Sequence, residues 1–209
     1  MSANRVVRLS AVLCLALLVT LPSSLSAQPK RDSRDTWQQP DRVIDDLNLS
    51  PGQRVADIGC GGGYFVFRMA KAVAAEGKVY GTEISEKALK SVKDRVERDK
   101  LTQIEPVLSG PTDTKLPDAC LDAALICNVL HHVPKDQRAA LVKDIARSLK
   151  PGASLSIVDW RVDAKIDHDK DRRIPRDEFL QLAKDAGLTL DAEFHYLVHQ
   201  VFLRLRKSS

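Results

Sequence analysis

The segment Val55-Ala56-Asp57-Ile58-Gly59-Cys60-Gly61-Gly62-Gly63-Tyr64-Phe65 carries the densest chemistry in this chain of 209 residues. An apolar run ends at a carboxylate and is followed by four glycines within five residues. Glycines permit a tight turn and let a ligand approach the backbone, and the amides at the start of the next helix face that ligand. A dinucleotide site of the form Gly-x-Gly-x-x-Gly would need glycine at position 64, where Tyr64 stands. The spacing is instead Asp-x-Gly-x-Gly-x-Gly, with the acid inside the strand end. A carboxylate there repels a pyrophosphate and suits a ligand carrying an ammonium group.

Other residues point to the same mouth. Glu83 follows a second apolar run, in Tyr80-Gly81-Thr82-Glu83-Ile84, where an acid accepts hydrogen bonds from ribose hydroxyls. Asn128, His131 and His132 follow the run Leu121–Cys127. Ligands of open α/β sheets bind beyond the carboxyl ends of strands, so either histidine can serve as a general base near neutral pH. The alternative is that they stabilise the following loop. Asp159 ends a later strand and is a second catalytic candidate, or else a capping or salt-bridge residue. His168, His195 and His199 raise a metal reading, but no carboxylate or cysteine stands at ligand spacing beside them, and no metal site is expected. The charged stretch 161–173 reads as a solvated loop or a lid over the substrate mouth.

These residues need a scaffold, and the hydrophobic pattern supplies one. From Pro40 the chain turns helical, with Val43, Ile44 and Leu47 on one face. Strands are expected at 54–58, 78–82, 104–108, 121–127 and 154–159. Helices alternate with them at 64–75, 86–100 and 135–149, the last closed by Lys150-Pro151-Gly152. The fourth strand is almost wholly apolar, as a strand buried on both faces should be. Such alternation implies a parallel sheet with helices on both faces. After a helix at 176–186, two strand-like runs at 188–195 and 198–206 follow with no room for a crossover helix. They must pair as an antiparallel hairpin.

At this point the chain resembles the class I S-adenosylmethionine-dependent methyltransferases. The glycine segment is similar to that family's first motif. The fourth-strand region 121–133 and Leu149-Lys150-Pro151-Gly152 before a fifth strand also match its pattern. The resemblance covers 37–209. It implies an α/β, Rossmann-like, doubly wound and mostly parallel seven-stranded sheet with an antiparallel C-terminal hairpin. It also implies S-adenosyl-L-methionine as cofactor. The cofactor-binding set it indicates is Asp57, Gly59, Cys60, Gly61, Gly63, Tyr64, Glu83, Ile84, Asp113 and Asn128. One feature departs from the family. Many relatives place an acid directly after the glycine of the third-strand loop, where it holds the adenine amino group. Gly110 is followed by Pro111-Thr112, so Asp113 either does that from a shifted loop or merely forms a turn.

Residues 1–27 read as a secretory signal. Arg5 and Arg8 precede an apolar run, 9–21, and small residues at 23–27 end it, with cleavage after Ala27. The alternative is an uncleaved membrane anchor, although a spanning helix needs about 20 apolar residues. Export to the periplasm is therefore expected, with 28–36 as a polar linker and 37–209 as the methyltransferase domain. Three cysteines would then remain, Cys60, Cys120 and Cys127, an odd number that gives no disulfide framework. Cys60 and Cys127 look like free buried thiols.

The formal charge of +4 includes Arg5 and Arg8, which leaves 4 − 2 = +2 beyond the signal and gives no argument for a nucleic-acid partner. Amino-methylating nucleic-acid and glutamine enzymes carry an Asn-Pro-Pro-Tyr type motif after the fourth strand. Asn128-Val129-Leu130-His131 stands there instead. Two functions are open: a methyltransferase acting on a small molecule, and a non-catalytic module that keeps the fold and its cofactor. Export motivates the second, because the cofactor is made in the cytoplasm.

Overall fold

A computed structural model of the protein describes residues 33–166 and 169–208. The signal expected over 1–27, with Cys14, and the candidate ligand His168 lie outside the described residues. Seven strands form one sheet in the order β3-β2-β1-β4-β5-β7-β6. They are β1 (Arg54–Ile58), β2 (Lys78–Glu83), β3 (Ile104–Leu108), β4 (Leu121–Cys127), β5 (Leu149–Trp160), β6 (Leu188–Phe194) and β7 (Gln200–Lys207). β1 through β5 pair in parallel, and β7 runs antiparallel to both β5 and β6. The expected sheet and C-terminal hairpin are both present. The strand order reverses between β1 and β4, and the crevice above their carboxyl ends is where such sheets bind ligands.

Side chains alternate along the strands and so build two cores. Ala56, Ile58, Ala124 and Ile126 face Leu141 and Ile145 of α5 (Lys135–Ser148) and Phe179 of α6 (Arg176–Asp185). Val55, Ala123 and Leu125 face the other way. They meet Met69 and Val73 of α3 (Val66–Val73), Leu89 and Val92 of α4 (Glu86–Asp99), and Val43 of α2 (Pro40–Asp46). Each such leucine, valine or phenylalanine contributes roughly 1.5–3 kcal/mol by leaving water. Among the described residues no helix is long and apolar enough to cross a membrane.

Three boundaries differ from the sequence expectation. Helix α3 starts only at Val66, because Gly61 (φ 53°) and Gly63 (φ 88°) hold residues 60–65 in turns. Strand β5 begins at Leu149 rather than 154, since Leu149 is buried and pairs with Leu121 before the register shifts past Pro151-Gly152. The linker expected over 28–36 is helical from residue 33, as α1 (Ser33–Gln38). Its polar residues are held by tertiary partners that local composition does not reveal. Gln39, at φ 45°, separates α1 from α2, consistent with the helical conformation being disfavoured before Pro40.

Candidate active site

The glycine loop is tied to the end of β2. Gly59 and Cys60 both donate backbone hydrogen bonds to the Thr82 carbonyl, at 2.8 and 2.9 Å. The Gly61 amide donates to Glu83 Oε2 at 2.9 Å, and the Ser85 amide donates to Oε1 at 2.8 Å. Glu83 is thus a buried carboxylate with both oxygens oriented. A Cβ on Gly61 would meet nothing within 4 Å, which leaves free space above that backbone. Gly59 and Gly63 are glycines for packing. A Cβ on Gly59 would come within 2.5 Å of Val129, and one on Gly63 within 2.5 Å of the Phe67 ring.

Three cavities open above the carboxyl ends of β1, β2, β4 and β5. One, of about 420 Å³, is lined by Arg34, Asp57, Gly59 to Gly62, Tyr64 and Cys127. A second, of about 260 Å³, lies over Glu83, Ile84, Ser109, Gly110 and Pro111. The third, of about 520 Å³, is bounded by Trp37, Trp160, Ile166 and the histidines 131, 132 and 199. Asn128 lines all three. A separate hollow beside Asp122 and Lys150 lies at the amino ends of β4 and β5, away from these loops.

Asp57 sits buried in the first cavity. Burial pushes its carboxyl up to about 7, while Arg34 and the Val66 amide favour its charged form. Burial also raises the thiols of Cys60 and Cys127, so both are protonated at neutral pH. Arg34 faces Asp57 from α1, its guanidinium 3.9 Å from the centre of the Tyr64 ring. Tyr64 in turn donates to Asp35 at 2.5 Å, and Asp35 pairs with Arg68 at 3.1 Å. Helix α1 is thereby fastened over the glycine loop, and it brings one fixed cation opposite one buried acid.

Asn128 is held at φ 59°, in the left-handed region that asparagine tolerates. Its side chain closes a ring of amides. Asn128 Nδ2 donates to Gln38 Oε1 at 3.2 Å, Gln38 Nε2 donates to Gln200 Oε1 at 2.8 Å, and Gln200 Nε2 donates to Asn128 Oδ1. Gln38 and Gln200 are buried, so the ring fixes the residue shared by the cavities.

The two histidines differ. His131 is buried, with Nδ1 2.6 Å from Asp159 Oδ1 and Nε2 3.5 Å from Asp169 Oδ2. Asp159 also accepts from the His131 and Trp160 amides. His132 is exposed, lines both the second and third cavities, and lies 3.9 Å from the His131 ring, centre to centre. Partial burial, then the neighbouring His131, holds its pKa below the ordinary histidine value. It is therefore neutral at pH 7 and able to accept a proton. His131, His132 and Asp169 bring nitrogen and oxygen atoms within 4.8 Å of one another. Arg172 already supplies positive charge there, 3.4 Å from His132 Nδ1 and 4.0 Å from Asp169.

The structure gathers Asp57, Gly59, Cys60, Gly61, Tyr64, Glu83, Ile84 and Asn128 around the first two cavities. Ile84 is 63% exposed, a large apolar side chain left open at the rim of the second. Two expected residues are elsewhere. Gly63 packs against Phe67, and Gly62 takes its place in the cavity wall. Asp113 bonds to the backbone and ammonium of its neighbour Lys115, which holds its carboxyl below the usual range, so it forms the turn and does not line the second cavity. Sequence reasoning missed Arg34, which sits in the expected linker, Trp37 and Gln38, which lie just beyond it and before the first expected helix, and Gln200. His199, considered only as a metal ligand, lines the third cavity. An arginine near the end of the polar stretch and a tryptophan directly after it were the available signal.

Comparison with known proteins agrees with this geometry. Residues 55–152 match the family model described as a methyltransferase domain. The chain is 31% identical over 159 residues to 27-O-demethylrifamycin SV methyltransferase of Amycolatopsis mediterranei (strain S699), covering 76% of this chain and 50% of that protein. It is 30% identical over 109 residues to demethylmenaquinone methyltransferase of Bacillus mycoides (strain KBAB4), covering 52% of this chain and 45% of the relative. The chain thus spans about half the length of the curated relatives it matches. A crystal structure of a SAM-dependent methyltransferase from Aquifex aeolicus shares the fold. Its TM-score is 0.77 at 22% identity, over 84% of this chain and 93% of that one.

Proposed function

Because this chain belongs to the class I S-adenosylmethionine-dependent methyltransferase family, we propose that it transfers the cofactor's methyl group to a small-molecule acceptor. One observation carries the reading: Asn128 lines all three cavities, so a ligand filling the first two presents its centre to the third. When bound, S-adenosylmethionine supplies a methyl carbon already activated by its sulfonium.

The residues present fit that molecule. Glu83 has both carboxylate oxygens oriented to accept from ribose hydroxyls. Ile84 offers an apolar surface to the adenine. Asp57 would hold the ammonium of the methionine end and Arg34 its carboxylate, since the two line one cavity with opposite charges, as a zwitterion requires. Gly61 leaves its backbone open to close approach. Asn128, locked by Gln38 and Gln200, positions the reacting centre. Orientation and exclusion of water then supply most of the rate. Where the acceptor has a proton to lose, His132 accepts it, being neutral and open to the acceptor cavity. Buried His131, held between Asp159 and Asp169, is a positioning residue on which His132 stacks.

The two relatives are named for small-molecule methylations, which supports an acceptor of that size. Calorimetric titration with S-adenosylmethionine and S-adenosylhomocysteine tests the cofactor site. Transfer of labelled methyl to metabolite extracts tests the activity. Binding of neither nucleoside overturns the reading.

We also propose that residues 1–27 direct export. The support is the Arg5 and Arg8 start, the apolar run and the small residues before Gln28. Intact mass of the periplasmic product checks it, and a full-length cytoplasmic product overturns it.

A further inference from the structure

We propose that the acceptor is a planar hydroxyaromatic, neutral or anionic at the hydroxyl, bound against the paired indoles of Trp37 and Trp160. The proposal rests on the methyltransferase reading and names the substrate class of that site. Its first support is shape. The indole rings of Trp37 and Trp160 lie 5.1 Å apart, centre to centre, at 34°, and both line the third cavity. Ile166 and His199 extend the same wall. The cavity of about 520 Å³ falls within the size range of small-molecule sites, roughly 300–1,000 Å³. Flat aromatic ligands gain both buried area and favourable ring contacts against such walls.

The second support is charge. Among the described residues the lining carries Arg34, Asn128 and the histidines 131, 132 and 199, and no carboxylate. Two described acids nearby face elsewhere: Asp159 is held by His131 and the Trp160 amide, and Asp169 lies against His131 and Arg172. An ammonium acceptor would meet the Arg34 cation, which faces Asp57 across the first cavity and also lines this one. A phenolic oxygen meets a cation, an amide and imidazoles instead. In the transfer the oxygen lone pair forms the new C–O bond as the C–S bond breaks, with its electron pair staying on sulfur. The hydroxyl proton passes to the His132 ring and then to solvent, and S-adenosylhomocysteine and the aryl methyl ether result. An acceptor already present as phenolate skips the proton step.

Both tryptophans of the chain line this cavity, so their emission reports its occupancy. The full chain is first titrated with S-adenosylhomocysteine and then, saturated with it, with three probes by calorimetry. The probes are 2-hydroxy-1,4-naphthoquinone (planar and anionic), 2-decalol (the saturated two-ring alcohol) and 2-naphthylmethylamine (a planar cation). The hydroxynaphthoquinone is expected to bind at least tenfold more tightly than either other probe and to quench tryptophan emission. Trp37→Ala should weaken it roughly tenfold, the upper range for lost aromatic contact, and Trp37→Phe should retain most of it. If S-adenosylhomocysteine binds but decalol or the amine matches the hydroxynaphthoquinone, the acceptor class is wrong and the methyltransferase reading stands. If S-adenosylhomocysteine itself does not bind, both fall.

Discussion

Glu83 Oε2 accepts a hydrogen bond from the Gly61 amide at 2.9 Å, across the gap between the loop after β1 and the end of β2. With the Ser85 amide on the other oxygen, two N–H donors aim the carboxylate. Glu83→Ala should weaken S-adenosylhomocysteine binding by about 1–3 kcal/mol, the usual loss for a charged acceptor. Glu83→Gln should do little better. A carboxamide has one acceptor oxygen, so its NH₂ must face one of the two amide N–H groups. Calorimetric Kd values check both, and an unchanged constant for Glu83→Ala removes Glu83 from the ribose site.

Substitutions at Gly61 and Gly63 should separate binding from folding. Gly61→Val puts a side chain into space the protein leaves open, at φ 53°. It is expected to fold with a loss of about 1–2 kcal/mol from the left-handed backbone, and to lose cofactor binding. Gly63→Ala drives a methyl against the Phe67 ring and Val92, at φ 88°, and should lower the melting temperature more. Thermal melts with and without S-adenosylhomocysteine distinguish the two. Retained affinity in Gly61→Val would falsify the placement of the site.

The parts of this site that were legible in the sequence belong to local patterns. Asp57, the glycines, Glu83 and Asn128 sit at the ends of apolar runs, and near-continuous burial marks those runs as strands of a parallel sheet covered on both faces. Asp57 and Ile58 can hardly lie anywhere else once β1 pairs with β2 and β4. What stayed hidden depends on long-range partners. Helix α1 is six residues long and polar, and isolated helices of that length are unstable. Tyr64, Arg68, Asn128 and Gln200 hold it, from 29 to 162 positions away, and no short window of sequence contains them. The distinct roles of His131 and His132 were likewise invisible. Adjacent and identical in type, they differ only in that Asp159 and Asp169 flank one ring and solvent meets the other.

Cofactor affinity should depend on pH through Asp57. Its carboxyl titrates near 7, chiefly because it is buried, and an ammonium partner requires the charged form. Below pH 7 the affinity is expected to fall by about tenfold per unit, because a proton must leave on binding. Arg34 favours the charged form, so Arg34→Gln should move the midpoint above 7 as well as weaken binding. Stability should run in the opposite sense. The folded carboxyl keeps its proton up to about 7 and the unfolded one only to about 3.8, so the folded state binds the extra proton between those values. The contribution of Asp57 to stability is therefore full below about 3.8 and declines as pH rises to 7. Asp57→Asn should remove that decline. Titrations and melts across pH 4 to 8 read both effects, and a flat affinity profile breaks the assignment.

The division of labour between the histidines yields the sharpest kinetic test. His132 is open to the acceptor cavity, so His132→Ala should lower turnover of a protonated acceptor by about 10²–10⁴ while S-adenosylhomocysteine affinity changes far less. The acid limb of the wild-type rate profile should lie below 6.5, since burial and His131 depress the His132 pKa, and the substitution should abolish that limb. His131→Ala should act on the fold instead. It removes the imidazole from buried Asp159, which keeps only the His131 and Trp160 amides, a change that costs about 1–3 kcal/mol for a lost buried hydrogen bond. His131→Asn keeps an N–H directed at Asp159 and should recover much of the stability. Its turnover per folded molecule should remain near wild type with the acid limb in place. If His131→Asn loses turnover and the limb while His132→Ala keeps both, the proton goes to His131, which also lines the acceptor cavity.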